Sequence, residues 1–304
     1  KQTYYRLSPG GAPDCAREMA RDLYGGGCMH GDIALVEAEL SARAFFSLVE
    51  LGVEFPCDRY GDYTGFVTDH DARGRGTSAG PGTSMMMVEK LLAEVRRLDV
   101  PVVDGLRVID IVTSEGKRFE GLLALDLAAL SGEGRGLTII RAPYCVYGTG
   151  GPGSLCRDSV YPRAQRGGFG PALAAGATAQ NLTEGQFGIA ATGIRWNMSG
   201  SYQQVLPRYV STGADGNGPV EFLNEYFTAP RAQMEAQFLK GYQWPFDVRK
   251  TVKDGSSLID LAVYHERIVK GRRVFMDFRA NPAAAGAAFS TDALPAPARD
   301  YLVN

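Results

Sequence analysis

The sequence is poor in several features that define whole classes of protein. Its 304 residues include only three histidines and two tryptophans, and the formal net charge is −2. Without a net positive charge, the chain has no field to hold a nucleic-acid backbone or an anionic membrane. No apolar run approaches the roughly 20 residues that cross a bilayer, and residues 1–7 lack the apolar stretch of a secretory signal. A cytoplasmic location is therefore expected.

The cysteines also exclude two classes of site. They stand at positions 15, 28, 57, 145 and 156, an odd number without any C-x-x-C pair. Disulfide frameworks need paired cysteines, and structural zinc sites need closely spaced ligands. The sequence therefore predicts neither a disulfide scaffold nor a metal centre.

The composition that remains is that of a globular protein, with 45% hydrophobic and 22% charged residues. Apolar residues recur at spacings of three and four over 14–23 and 32–51, which predicts two amphipathic helices. In the second run they are Ile33, Val36, Leu40, Phe45, Leu48 and Leu51. Asp32 is predicted to cap that helix, since its carboxylate can accept from orphan N–H groups of the first turn. Residues 57–83 lack periodicity, as functional loops do, and a helix resumes near residue 84.

Strand patterns begin near residue 106. Residues 107–113 and 119–125 read as a hairpin, and 137–146 reads as a third strand of the same antiparallel meander. A helix rich in small residues is predicted over 171–179.

The composition changes after residue 186 toward aromatic and polar side chains, which suggests a second domain. In this part a helix is predicted over 230–239 and a strand over 273–278. Residues 257–269 fit a strand or the edge of a helix, and 281–297 read as loop.

One glycine motif suggests a dinucleotide site. Gly148, Gly150 and Gly153 satisfy G-x-G-x-x-G behind a predicted strand, where backbone N–H groups can meet a pyrophosphate. An NAD fingerprint also needs an acidic residue about 20 positions later, and we find none there. Pro152 would in addition obstruct the start of a helix. An NAD-dependent enzyme is therefore disfavoured, although it stays an alternative.

The order of five short motifs is more informative. They are Leu51-Gly-Val53, Thr149-Gly-Gly151, Ala175-Gly-Ala177, Gln186-Phe187 and Gly271-Arg-Arg-Val-Phe-Met-Asp-Phe-Arg279. In this order the chain resembles FAD-dependent oxidoreductases of the fumarate reductase/succinate dehydrogenase flavoprotein family. The resemblance covers nearly the whole chain but lacks the N-terminal FAD glycine motif and the C-terminal segment, so we expect an internal portion of a longer protein.

The resemblance implies an α/β fold in two parts. Residues 1–185 would form a partial FAD-binding, glutathione-reductase-like domain with an antiparallel meander, and residues 186–304 an α+β capping domain that binds substrate. It also implies FAD as cofactor, a small anionic or unsaturated substrate, and an electron-transfer partner. The cofactor-binding residues that it implies are Val108, Thr149, Gly150, Gly151 and Gly168.

The resemblance also points to catalytic and substrate-binding residues. Arg208 stands where the family places an arginine that handles the proton, and His70 could act as acid, base or ligand. The residues assigned to substrate binding are Arg73, Arg75, Gln186 and Arg195. Each has a plainer interpretation: a surface or interdomain ion pair for Arg208, a solvated loop for residues 68–75, and a packed seam for residues 195–204.

Two departures from the family bear on the substrate. Gly188 and Ile189 replace a histidine and proline that grip a substrate carboxylate in fumarate-reducing members, and Gly167 stands where an aspartate is expected. Fumarate or succinate is therefore doubtful as substrate. A rival function from another class is a cofactor-free binding or subunit-contact module that keeps the scaffold without the flavin turn.

Overall fold

A computed structural model describes residues 3–7, 13–27, 29–68, 71–115, 118–151, 159–161, 168–180, 187–194 and 196–303. Within these ranges the α-helices are α1 (Ala16–Gly25), α2 (Gly31–Glu50), α3 (Thr83–Arg97), α4 (Phe169–Ala174), α5 (Ser201–Gln204), α6 (Pro230–Tyr242), α7 (Leu258–Tyr264) and α8 (Ala296–Val303). No helix among them has the length and apolar character needed to cross a membrane.

The strands form four small sheets, and every strand pair in the described ranges is antiparallel. The strands are β1 (Tyr4–Tyr5), β2 (Phe66–Thr68), β3 (Asp71–Thr77), β4 (Leu106–Thr113), β5 (Phe119–Asp126), β6 (Leu137–Arg141), β7 (Ala190–Ala191), β8 (Trp196–Asn197), β9 (Arg208–Thr212), β10 (Val220–Glu221) and β11 (Arg273–Asp277). Their orders are β1-β3-β2, β4-β5-β6, β7-β8 and β10-β9-β11.

The chain divides into two compact units, which are described separately. One contains residues Lys1–Lys90 and Gly185–Asn304, and the other contains Leu91–Glu184. The assignment of an FAD-binding and a capping domain stays a prediction.

Helices α1 and α2 confirm the two predicted amphipathic helices. Of the apolar set predicted for α2, Phe45 and Leu48 are buried, but the N-terminal half of the helix buries small residues instead. Ala34 and Ala38 of α2 are fully buried against Met19 and Ala20 of α1, because small side chains let two helices approach closely. The larger Ile33, Val36 and Leu40 are half exposed instead.

The predicted cap of α2 is wrong. His30 is the residue before the helix, and Asp32 lies inside the first turn without a side-chain capping hydrogen bond. An acidic side chain there still interacts favourably with the positive end of the helix dipole.

The segment predicted to be irregular contains strands β2 and β3. Gly74 and Gly76 conceal β3, because they interrupt the alternation that marks a strand, and β2 is only three residues long. Gly65 lies so close to the carbonyl group of Gly74 that a Cβ atom would collide with it. Glycine at position 65 therefore permits the close strand approach that the sequence pattern hides.

The predicted meander is confirmed as β4-β5-β6, with its third strand ending at Arg141 rather than near residue 146. Ala124, in the central strand, is fully buried. The helix that follows, α4, ends at Ala174, five residues before the predicted end.

Residues 185–304 have a core of their own. Tyr209, Phe222, Phe227 and Ile259 are all at most 2% exposed and pack together. The segment that fits strand or helix from its pattern is helical: α7 passes into one turn of π-helix, His265–Val269. The predicted loop at the end of the chain includes the start of α8.

Candidate functional site

Strand β9 presents two chemically different faces, as the two-residue period of a strand requires. Tyr209 faces the core together with Val274 and Met276 of β11. Residues 208, 210 and 212 alternate with it and therefore lie on the opposite face. That outer face carries a cluster of charged groups.

Arg208 is the centre of this cluster. Its Nη2 donates to Asp277 at 2.5 Å and its Nη1 donates to Glu221 at 3.3 Å. The strand register explains the first contact, since Asp277 lies directly opposite Arg208 on β11. A guanidinium has five N–H donors in a rigid fork, so two carboxylates fix its orientation and leave donors for a further acceptor.

Asp277 is the second key residue of the cluster, with a side chain only 8% exposed. Its Oδ1 accepts from Nε of Arg279 at 2.8 Å. Hydrogen bonds from Arg279 and then Arg208 hold the pKa of Asp277 well below its usual range. The hydrogen bond to Asp277 in turn raises the pKa of Arg208. Asp277 is therefore a permanent anion that anchors both arginines.

An open cleft of about 500 Å³ lies over this face. Arg208, Glu221, Asp277 and Arg279 form its polar wall. Its apolar lining is Val210, Pro219, Val220 and Phe275. The size lies within the range of small-molecule sites, and the mixture of apolar surface with a few fixed polar groups is typical of them.

The sequence singles out Arg208 but misses Asp277, although the alternation of Arg273-Val-Phe-Met-Asp277 could have indicated it. Polar or exposed side chains at 273, 275 and 277 alternate with core residues at 274 and 276. That pattern places Asp277 on the outer face, but pairing with Arg208 depends on the strand register.

Arg75, assigned to substrate binding, lies elsewhere and is fully buried. Its guanidinium donates to both oxygens of Asp14 and, at 2.7 Å, to Asp22. The hydrogen bond to Asp14 raises the pKa of Arg75. With no exposed surface, this side chain ties α1 to β3 and has no face to offer a substrate.

Arg73, also assigned to substrate binding, is the more accessible of the two arginines on β3. It pairs with Glu18 at 2.9 Å and donates to the carbonyl of Pro13 at 2.7 Å, and its side chain is 36% exposed. Its role in substrate binding stays a prediction.

Two of the residues assigned to the cofactor meet in the unit of residues 91–184. The side chain of Thr149 lies against the α-carbon of Gly168, where a Cβ atom would collide with it, and the Tyr147 hydroxyl donates to the Gly168 carbonyl. Gly150 has φ of +78°, a conformation that favours glycine. Gly151 has open space where a side chain would stand. Val108 is 39% exposed on β4.

Three assigned residues, His70, Gln186 and Arg195, lie outside the described residues. Among the described ones, no group of three or more His, Cys, Asp or Glu side chains is placed to hold a metal ion.

Comparison with solved structures relates the chain to fumarate reductases. No protein-family model and no curated protein matches the sequence. A quinol-fumarate reductase with menaquinol molecules aligns with TM-score 0.61 and 18% identity over 92% of this chain and 48% of that one. The open conformation of a flavocytochrome c3 fumarate reductase aligns with TM-score 0.58 and 14% identity over 95% of this chain and 57% of that one. The chain thus spans about half the length of these proteins and shares their fold over that part.

Proposed function

We propose that this chain carries the substrate site of a flavin-dependent oxidoreductase that acts on a small anionic or unsaturated substrate. The observation that carries the proposal is Arg208, held by Asp277 and Glu221 at the wall of an open cleft. The likeness of the fold to fumarate reductase chains supports the same function.

Arg208 suits two tasks in such a reaction. Its remaining N–H groups can bind a carboxylate or carbonyl oxygen of the substrate and stabilise negative charge that develops there. The two carboxylates that hold the guanidinium reduce the entropy lost when a ligand binds, because the side chain is already oriented. Arg208 keeps its proton, since the hydrogen bond to Asp277 raises its pKa. Binding and orientation are therefore its first role.

The flavin would lie beside the turn that contains Thr149, Gly150 and Gly151. Two observations support this placement: there is open space where a Cβ atom of residue 151 would stand, and Thr149 lies so close to Gly168 that only glycine fits there. FAD supplies hydride transfer to or from a substrate carbon. The chain's own residues would orient the ring system and shield it from solvent.

An electron-transfer partner is part of the proposal. One structural neighbour is described as a quinol-fumarate reductase with menaquinol molecules, and the other as a flavocytochrome c3 fumarate reductase. We extend to this chain only the expectation of a partner that exchanges electrons with the flavin.

The visible spectrum of the protein, purified with its natural ends, tests this function. We expect flavin absorption bands that survive gel filtration and that shift when an unsaturated acid is added. Arg208→Gln should keep the bands and lower turnover about 100-fold or more, the usual effect of losing a positioned catalytic group. The exposed Arg267 on the π-helical turn provides the matched control, Arg267→Gln, which should behave as the natural protein does.

A colourless protein that also fails to take up added FAD would contradict the proposal. That result would instead favour the cofactor-free binding module. An Arg208→Gln variant that keeps the flavin bands and has unchanged turnover would support the flavin chemistry but show that Arg208 takes no part in it.

A further inference from the structure

The cleft over the outer face of the β10-β9-β11 sheet has a lining that restricts its ligand. Two arginines, Arg208 and Arg279, and two carboxylates, Glu221 and Asp277, form its polar part, so their formal charges cancel. The lining therefore has no excess positive charge for a second carboxylate. The guanidinium carbon of Arg273, which is not part of the lining, lies 5.2 Å from the centre of the Phe275 ring.

A lining whose charges cancel disfavours a dianion relative to a monoanion. A dicarboxylate would place its second charge near Glu221 and Asp277, and both of these side chains are less than a quarter exposed. Like charges at short range in a partly desolvated site repel strongly. Arg208 alone has donors oriented by two carboxylates, so we expect one carboxylate of the ligand to bind there.

The rest of the cleft is apolar. Phe275 of β11 is 41% exposed, and Val210 of β9 lies opposite it in the register, so both side chains lie on the outer face. These side chains form a flat surface beside the polar wall, since neighbouring strands bring facing side chains within about 5 Å of one another. A planar apolar group would bury this surface, and an aromatic ring could stack on Phe275.

Resting on the proposed function, we infer that the cleft selects a monocarboxylate with a planar apolar body, such as an arylacrylate, over a four-carbon dicarboxylate. The carboxylate would bind Arg208, and the apolar body would cover Val210 and Phe275. A cleft of about 500 Å³ also has room for a ligand larger than four carbons.

Calorimetric titration of the purified protein without added flavin tests this inference apart from any redox activity. The probes are cinnamate, a monoanion with a phenyl ring, and fumarate, a dianion with the same unsaturated acid group. We expect cinnamate to bind at least tenfold more tightly than fumarate. Phe275→Ala should weaken cinnamate binding about tenfold, and Phe275→Leu should weaken it less because an apolar surface remains.

Phe246→Ala is the matched control, because Phe246 is 38% exposed and does not line the cleft. This variant should bind cinnamate as the natural protein does. Arg208→Gln should weaken cinnamate but leave binding of the neutral cinnamamide nearly unchanged. If Phe275→Ala fails to fold, circular dichroism will reveal it. The titrations of Phe275→Leu and Arg208→Gln then still test the inference.

The inference would be overturned if fumarate bound as tightly as cinnamate or more tightly. It would also be overturned if neither acid bound. Cinnamate binding that is insensitive to Phe275 would also overturn it. The titration needs no flavin. A protein that binds cinnamate but never takes up FAD would therefore contradict the oxidoreductase proposal and leave the inferred selectivity of the cleft intact.

Discussion

Three arginines that all lie on β-strands have different surroundings in the folded chain. Arg75 is fully buried between two carboxylates, Arg73 two residues away is one-third exposed, and Arg208 stands at the wall of a cleft. Burial makes a charge costly unless it is paired, so the three residues differ in how much stability depends on them. This difference can be measured directly.

Arg75→Met should lower the free energy of unfolding by about 3 kcal/mol, because it leaves the carboxylate of Asp14, only 2% exposed, without its buried cation. Arg73→Gln should cost less than about 1 kcal/mol, since Arg73 belongs to a partly exposed ion pair. Urea denaturation of both variants at pH 7 gives the comparison. Equal losses would show that burial of Arg75 does not govern its contribution.

At the scale of elements, the contact between α6 and α7 contains a buried ion pair. Lys240 of α6 is fully buried, and its ammonium pairs with Asp260 of α7, which is 11% exposed, and donates to the carbonyl of Gln243 at 3.1 Å. Desolvation raises the pKa of Asp260 to about 6 despite the attraction of Lys240, which lowers it. Such pairs stabilise little compared with apolar side chains of the same size, yet breaking one is costly.

Lys240→Met should therefore destabilise the protein by about 3 kcal/mol, whereas the double variant Lys240→Met/Asp260→Leu should recover most of the loss. Thermal or urea unfolding of the two variants and the natural protein measures the coupling. A double variant as unstable as the single one would mean that the packing, rather than the charge, requires these residues.

The same pair predicts a pH dependence of known sign. Because the pKa of Asp260 is higher in the folded chain than its ordinary value of 3.8, the folded state holds more protons between about pH 4 and 6. The contribution of this group is fully present below pH 4 and is lost as the pH rises toward 6, by about 2 to 3 kcal/mol for a shift of this size. In the natural protein the urea midpoint should fall as the pH rises across that range. In the double variant this fall should be absent. A decline that persists would assign it to another group.

For the molecule as a whole, the exposure of large apolar side chains stands out. Ile33, Val36 and Leu40 form one stripe along α2 and are at least half exposed. Ile139 on β6 is 70% exposed, and Val146 beyond that strand is 98% exposed. An exposed apolar stripe such as the one on α2 promotes association in water.

We therefore expect the 304-residue chain, purified by itself, to self-associate in a way that a mild detergent reverses. The variant Ile33→Gln/Val36→Gln/Leu40→Gln should shift it toward the monomer, and the exposed acidic residues of the same helix supply the control Glu37→Gln/Glu39→Gln. Size-exclusion chromatography with light scattering measures the mass. A natural chain that is monomeric at micromolar concentration would refute this expectation.

Much of the fold follows from local patterns. Helices α2, α3 and α6 and the β4-β5 hairpin lie where the periods of 3.6 and 2 residues predict them, because both periods are properties of the backbone and need no distant partner. Where glycine removes side chains, as in β3, or where a strand is only three residues long, as in β2, the pattern fails. Segment 257–269 stays ambiguous in sequence, since its apolar residues fit either period.

The candidate site shows the same division. Arg208 can be singled out from the sequence, and Gly168 from its motif, but neither the Asp277 contact nor the cleft can be. Asp277 lies 69 residues from Arg208, and only the register of β11 on β9 brings the two together. The burial of Arg75 and the outward turn of Ile33 likewise depend on which elements pack against each other. The sequence by itself determined the local elements, through short-range sterics and periodicity, whereas the tertiary structure decided which charges are paired and which apolar faces are covered, because both depend on neighbours distant in the chain.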